Sequence, residues 1–160
     1  MLGGWQLSTV TLYETGPYVT PTTSCALDQS NTNASARGTT CRPDIIGNPN
    51  VPNPATGAIW NIAALAPVPV GAGRFGNAGL GSLEGPGTVT SAGGLSKTFS
   101  VFEKARLRFE ATFTNMLNHP NFAIPARVLS TPSTFGLLTT VQTAENSGNR
   151  VGQLSLRLQF

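Results

Sequence analysis

The chain has 160 residues, 39% of them hydrophobic and only 11% charged, with eighteen Gly, twelve Pro and a net charge of +3. An average soluble domain is about 25% charged and disordered chains usually carry high net charge, so neither class fits. The Lys and Arg residues are scattered, which excludes a nucleic-acid patch, and no run of roughly eighteen apolar residues offers a transmembrane helix.

Residues 1 to 20 have Met1 in front but no basic start, apolar run and small-residue cleavage site, so no signal peptide is predicted. Within them, residues 3 to 13 read G-G-W-Q-L-S-T-V-T-L-Y and put Trp5, Leu7, Thr9, Thr11 and Tyr13 on one face of a predicted strand. Aromatic residues at both ends of that face suit the two interfaces of a bilayer. They suit the core of a soluble sheet equally well.

From 14 to 88 the alternation disappears, in runs such as Q-S-N-T-N-A-S-A-R-G and G-N-P-N-V-P-N-P-A-T-G. Proline removes a ladder donor, glycine permits positive φ and Asn mimics a backbone turn, so this stretch reads as one long irregular loop. Structureless loops beyond about 12 to 15 residues are uncommon in compact domains, whereas external loops of barrels are long. The apolar pieces A-I-W-N-I-A-A-L-A (58 to 66) and V-P-V (68 to 70) look too short to form a domain core. Cys25 and Cys41, the only two cysteines, fall in this loop among turn formers. A disulfide between them needs an oxidising compartment and would be worth about 3 kcal/mol of unfolded-state entropy; the competing reading is two free thiols. Neither a C-x-x-C spacing nor a nearby His suggests zinc, and no cofactor is predicted.

Alternation returns over a strand at 89 to 102, where Leu95, Lys97, Phe99 and Val101 share a face that the lysine interrupts. Such a lysine implies either a strand projecting past the bilayer or a local phase error. Phe102, Glu103 and Lys104 read as a tight connection. The next strand, 105 to 117, sets Leu107, Phe109, Ala111 and Phe113 against Arg106, Arg108, Glu110, Thr112 and Thr114. Its charged face fits either a watery lumen or bulk solvent. N-H-P-N-F (118 to 122) then ends the ladder, and a second loop runs to 149. In the last strand, 150 to 160, Leu154, Leu156, Leu158 and Phe160 alternate with Gln153, Ser155, Arg157 and Gln159. About 9 to 11 residues suffice for a tilted strand to cross a bilayer. Connections that run very long, very short and long put the short turn and the C-terminal end on one edge, as in transmembrane barrels.

The segments G-W-Q-L-S, R-P-D-I-I-G-N-P, G-R-F-G-N-A-G, L-S-K-T-F and F-T-N-M-L-N-H-P-N-F, followed by a terminal aromatic strand, resemble the C-terminal end of Oar-like TonB-dependent outer-membrane receptors of Gram-negative bacteria, especially the acidobacterial type. The resemblance covers nearly the whole chain. It implies a barrel of twenty-two strands with a plug and a TonB box, neither of which matches anything in these 160 residues. The expectation is therefore an all-β, antiparallel C-terminal fragment of a transmembrane β-barrel for nutrient uptake, located in the cell outer membrane. Its expected partners are outer-membrane lipid, the barrel-assembly machinery, the remainder of the barrel and plug, and TonB through an N-terminal region. The resemblance also implies that Leu154, Leu156, Leu158 and Phe160 form the signal read by the assembly machinery. No ligand residues carry over.

Catalysis is not expected: His119, the only histidine, stands in a proline-containing turn with no Ser, Cys or carboxylate arrangement to make it a base. The glycines of G-A-G-R-F-G lack the strand and helix of a phosphate loop and read as loop punctuation. The alternative function is a secreted or surface-displayed β-rich adhesin or interaction module.

Overall fold

The computed structural model of the chain describes residues 3–25, 40–53, 56–102, 105–143 and 148–160. The fold is all-β and antiparallel. Its long strands are β1 (Trp5–Glu14), β6 (Thr88–Phe102), β7 (Ala105–Thr114) and β8 (Val151–Gln159), hydrogen-bonded in the order β1-β6-β7-β8. Between β1 and β6 lie four two-residue strands, β2 (Tyr18–Val19), β3 (Asp44–Ile45), β4 (Leu65–Ala66) and β5 (Leu83–Glu84), paired β2 with β5 and β3 with β4. The chain divides into two compact units: Met1–Thr15, Gly87–Asn121 and Val141–Phe160 in the first, Gly16–Pro86 and Phe122–Thr140 in the second.

In the first unit the strand registers align the alternation seen in sequence. Trp5 pairs with Lys97, Lys97 with Phe109 and Phe109 with Leu156; the next row is Leu7, Leu95, Ala111 and Leu154. Because side chains alternate along every strand, a one-residue slip anywhere would put charge among leucines, so the four patterns hold one another in register. Gly4, at a φ of 83°, closes β1 just before Trp5, while the β6–β7 hairpin continues past that row to Phe102 and Ala105. Neighbouring strands are thus staggered, as a tilted barrel wall requires. Glu103 and Lys104 lie outside the described residues. Among the described residues β1 and β8 are each paired on one side only, so the sheet is open.

Two expectations need correction. The strand placed at 105 to 117 stops at Thr114, because Asn115 turns into the left-handed region at a φ of 47°. Met116 and Leu117 leave the ladder and donate their N–H groups to the carbonyl and hydroxyl of Ser91. Asn is among the few residues that accept such a φ at low strain, which is why the chain turns here.

The second correction concerns residues 14 to 88, which are not an irregular loop throughout. In the second unit Val19, Trp60, Leu65, Leu83 and Phe135 form a buried core, with Ile45, Ile59, Ile62 and Leu129 packed against it. The Trp60 and Phe135 rings meet at 5.8 Å and an interplanar angle of 59°, a tilted contact favoured by their quadrupoles. Burial of each large side chain contributes about 1.5–3 kcal/mol. Neither apolar piece is long enough alone. The core is assembled from residues far apart in sequence, including Phe135 from the loop placed at 118 to 149. That later segment joins through hydrogen bonds from Thr22 N to the Arg127 carbonyl, 3.1 Å, and from Leu129 N to the Thr22 carbonyl, 2.7 Å. The run at 29 to 38 lies outside the described residues.

Candidate functional site

The four-stranded sheet has two chemically distinct faces. One carries Trp5 and Leu7, Leu95 and Phe99, Leu107, Phe109 and Phe113, then Leu154, Leu156 and Leu158. Leu7 is 74% exposed, Leu154 68%, Leu156 67% and Leu158 57%. Contiguous apolar patches on soluble monomers rarely exceed a few hundred Å², so a face of this extent demands an apolar surrounding. Phe160, also exposed, follows β8 directly. The four residues singled out at the C-terminal end thus include three from one face of one strand.

The opposite face carries Gln6, Ser8, Ser96, Thr98, Arg106, Arg108, Glu110, Thr112, Gln153, Ser155 and Arg157 in the alternate rows. Arg108 Nε lies 3.5 Å from Glu110 Oε2. At that distance it is a charge contact rather than a hydrogen bond, and with both side chains about two-fifths exposed it contributes at most about 1 kcal/mol. Arg108 also stands opposite Arg157, a like-charge pair that only a wet environment tolerates easily.

The loop motifs have structural roles that the sequence did not reveal. Asp44, in R-P-D-I-I-G-N-P, accepts two bonds from the Arg74 guanidinium of G-R-F-G-N-A-G, at 2.8 and 2.6 Å. It accepts a third from Asn77 N at 3.0 Å. Ile45 N donates to Asn77 Oδ1 at 2.6 Å, Arg42 Nη1 to the Ala78 carbonyl at 3.0 Å, and Ala78 N to the Pro43 carbonyl at 3.1 Å. The Arg74 hydrogen bonds hold the Asp44 carboxyl below its ordinary value, outweighing the opposite effect of burial, and Asp44 in turn raises the Arg74 guanidinium. Gly76 lies so close to the Arg42 and Pro43 carbonyls that no side chain fits, giving this glycine a steric role beyond loop punctuation. Two opposite charges in separate loop motifs were the available signal for this joint.

Residues 113 to 121 of F-T-N-M-L-N-H-P-N-F form a second knot, in the first unit. Buried Asn115 receives His119 N on Oδ1 and donates Nδ2 to the His119 carbonyl, both at 3.0 Å. Fully buried Asn121 receives Val89 N at 2.8 Å and donates to the Val89 carbonyl at 2.9 Å, so its amide continues the ladder where the chain has left it. His119 Nδ1 lies 3.3 Å from Asn121 Oδ1, placing the histidine in a structural turn. Cys25 and Cys41 are joined by a disulfide with Cα atoms 5.3 Å apart, beside a backbone bridge from Thr23 to Cys41.

A family model described as an outer membrane beta barrel domain matches residues 1–153. The chain belongs to that family. No curated protein and no solved structure matches it. For an outer-membrane β-barrel domain the two faces acquire direction: the leucine-rich face meets lipid, and the Arg- and Gln-bearing face meets the lumen. The localisation is the outer membrane. Lys97 stays in phase on the lipid side, its Nζ 4.4 Å from the Trp5 ring centroid and 5.0 Å from that of Phe99. The interruption of the apolar face is therefore not a phase error.

Proposed function

We propose that this barrel segment belongs to a TonB-dependent, Oar-like uptake receptor, in which the sheet forms wall and the long connections form an external recognition surface. The observation that carries the reading is the joint between R-P-D-I-I-G-N-P and G-R-F-G-N-A-G. Two of the segments behind the resemblance meet through Asp44, Arg74 and Asn77, as motifs do when they preserve one folded unit. A built loop unit with a core and a disulfide exceeds what joining two strands requires. In this reading Leu154, Leu156, Leu158 and Phe160 also serve as the assembly signal, and the rest of the barrel, the plug and TonB are partners. The segment takes no part in catalysis.

Growth of a strain lacking the gene, beside a strain lacking TonB, on a panel of carbon sources, metal chelates and peptides tests the proposal. A defect on one nutrient shared by both strains supports uptake. A surface-adhesion defect that persists irrespective of TonB would instead favour the adhesin alternative.

A further inference from the structure

We infer that Lys97 and Trp5 form a binding site for the phosphate of an anionic glycerophospholipid on the short-turn side of the wall. Lys97 is half-buried on the lipid face, where its row neighbours are Trp5 and Phe109. Within the four long strands of the sheet the carboxylates are Glu14 and Glu110, and both stand in rows of the lumen face. The ammonium on the lipid side thus has aromatic faces beside it and no acid of the sheet to neutralise it.

A cation against lipid tails is unfavourable, and it persists where the side chain reaches a headgroup. The position suits that. β1 begins at Trp5, directly after the positive-φ Gly4, so the row of Trp5 and Lys97 is the last that β1 supplies at this edge; β6, β7 and β8 run on past it to Phe102, Ala105 and Gln159, and the Lys97 ammonium reaches in that direction to the Phe99 ring. That edge carries the short β6–β7 hairpin, the periplasmic arrangement in such barrels. The Trp5 ring orients the ammonium by cation–π attraction, and its indole N–H is a further donor for a phosphate oxygen. The occupant is a bilayer lipid rather than free phosphate because Phe109 and Leu156 in the same row, and Leu95, Ala111 and Leu154 in the next row away from the hairpin, offer its acyl chains an apolar surface.

Native mass spectrometry of the protein purified from outer membranes, titrated with phosphatidylglycerol in detergent, tests the site. Lys97→Met should weaken lipid retention by about fivefold, the effect of one basic residue at an anionic surface, and Lys97→Arg should retain it. Inorganic phosphate at equal concentration should displace none of the lipid. Heat-modifiable gel migration confirms folding, and Lys97→Gln replaces the Met variant if that one does not fold. Equal retention by wild type and the uncharged variant, or displacement by inorganic phosphate, overturns the inference.

Discussion

The side-chain amide of Asn121 holds both backbone polar groups of Val89, accepting its N–H at 2.8 Å and donating to its carbonyl at 2.9 Å. An asparagine fully buried outside the strands thus acts as an extra rung at the entry of β6. Asn121→Ala leaves two backbone groups without these partners and should destabilise the folded state by about 1–3 kcal/mol. A urea titration read by heat-modifiable gel migration measures it. Asn118→Gly, at an exposed position of the same turn whose φ of 53° glycine adopts freely, should lose less, and the reverse order would contradict the assigned role.

Glycine substitutions should separate two kinds of close approach. At Gly152 an added Cβ would lie 2.8 Å from Cε1 of Phe113, whose ring is partly exposed and can swing aside. At Gly76 it would meet the fixed carbonyls of Arg42 and Pro43. Gly152→Ala should therefore cost less than about 1 kcal/mol, whereas Gly76→Ala should cost several and disrupt the joint around Asp44. Thermal unfolding of the two variants distinguishes them.

Asp44 gives the second unit a defined response to acid. Its carboxyl titrates below the ordinary 3.8 in the folded state, held there first by the Arg74 hydrogen bonds. The stabilisation it supplies is fully present above the unfolded value and is lost as pH falls through the lowered folded value. Wild type should thus unfold at higher temperature than Asp44→Asn at pH 7, with the gap closing below about pH 4. A gap independent of pH would exclude the carboxylate as its source.

Phe160 offers a test of the assembly signal. As wall residues only, Phe160 and Leu156 should each lose about 1.5–3 kcal/mol of apolar stabilisation on truncation to Ala. As a signal, Phe160→Ala should lower outer-membrane insertion much more than Leu156→Ala, and Gln159→Ala should change little. The amount of folded barrel in isolated outer membranes gives the answer, and equal losses would leave only a wall strand.

What could be read from the sequence follows from locality. The long strands were legible because alternation is a local signal, and Leu154, Leu156 and Leu158 announced a face without any knowledge of their neighbours. The disulfide was legible as one of two readings of Cys25 and Cys41. The core of the second unit was not, because Val19, Trp60, Leu83 and Phe135 come from segments with no common period. The joint of Asp44 with Arg74 was hidden similarly, since thirty residues separate partners that become adjacent only on folding. Asn121 looked like a turn former because a buried amide that extends a ladder has the same composition as an exposed one in a loop.

The central claim is that the sheet separates lipid from a watery lumen, and spin labels read that boundary residue by residue. Labels at positions 154, 155, 156 and 157 of β8, and at 6 and 7 of β1, in the protein reconstituted into bilayers, report collisions with oxygen and with a water-soluble nickel chelate. Labels replacing Leu7, Leu154 and Leu156 should favour oxygen, while those replacing Gln6, Ser155 and Arg157 should favour the chelate, alternating with a period of two. Uniform accessibility along β8, or alternation in the opposite phase, would contradict the account.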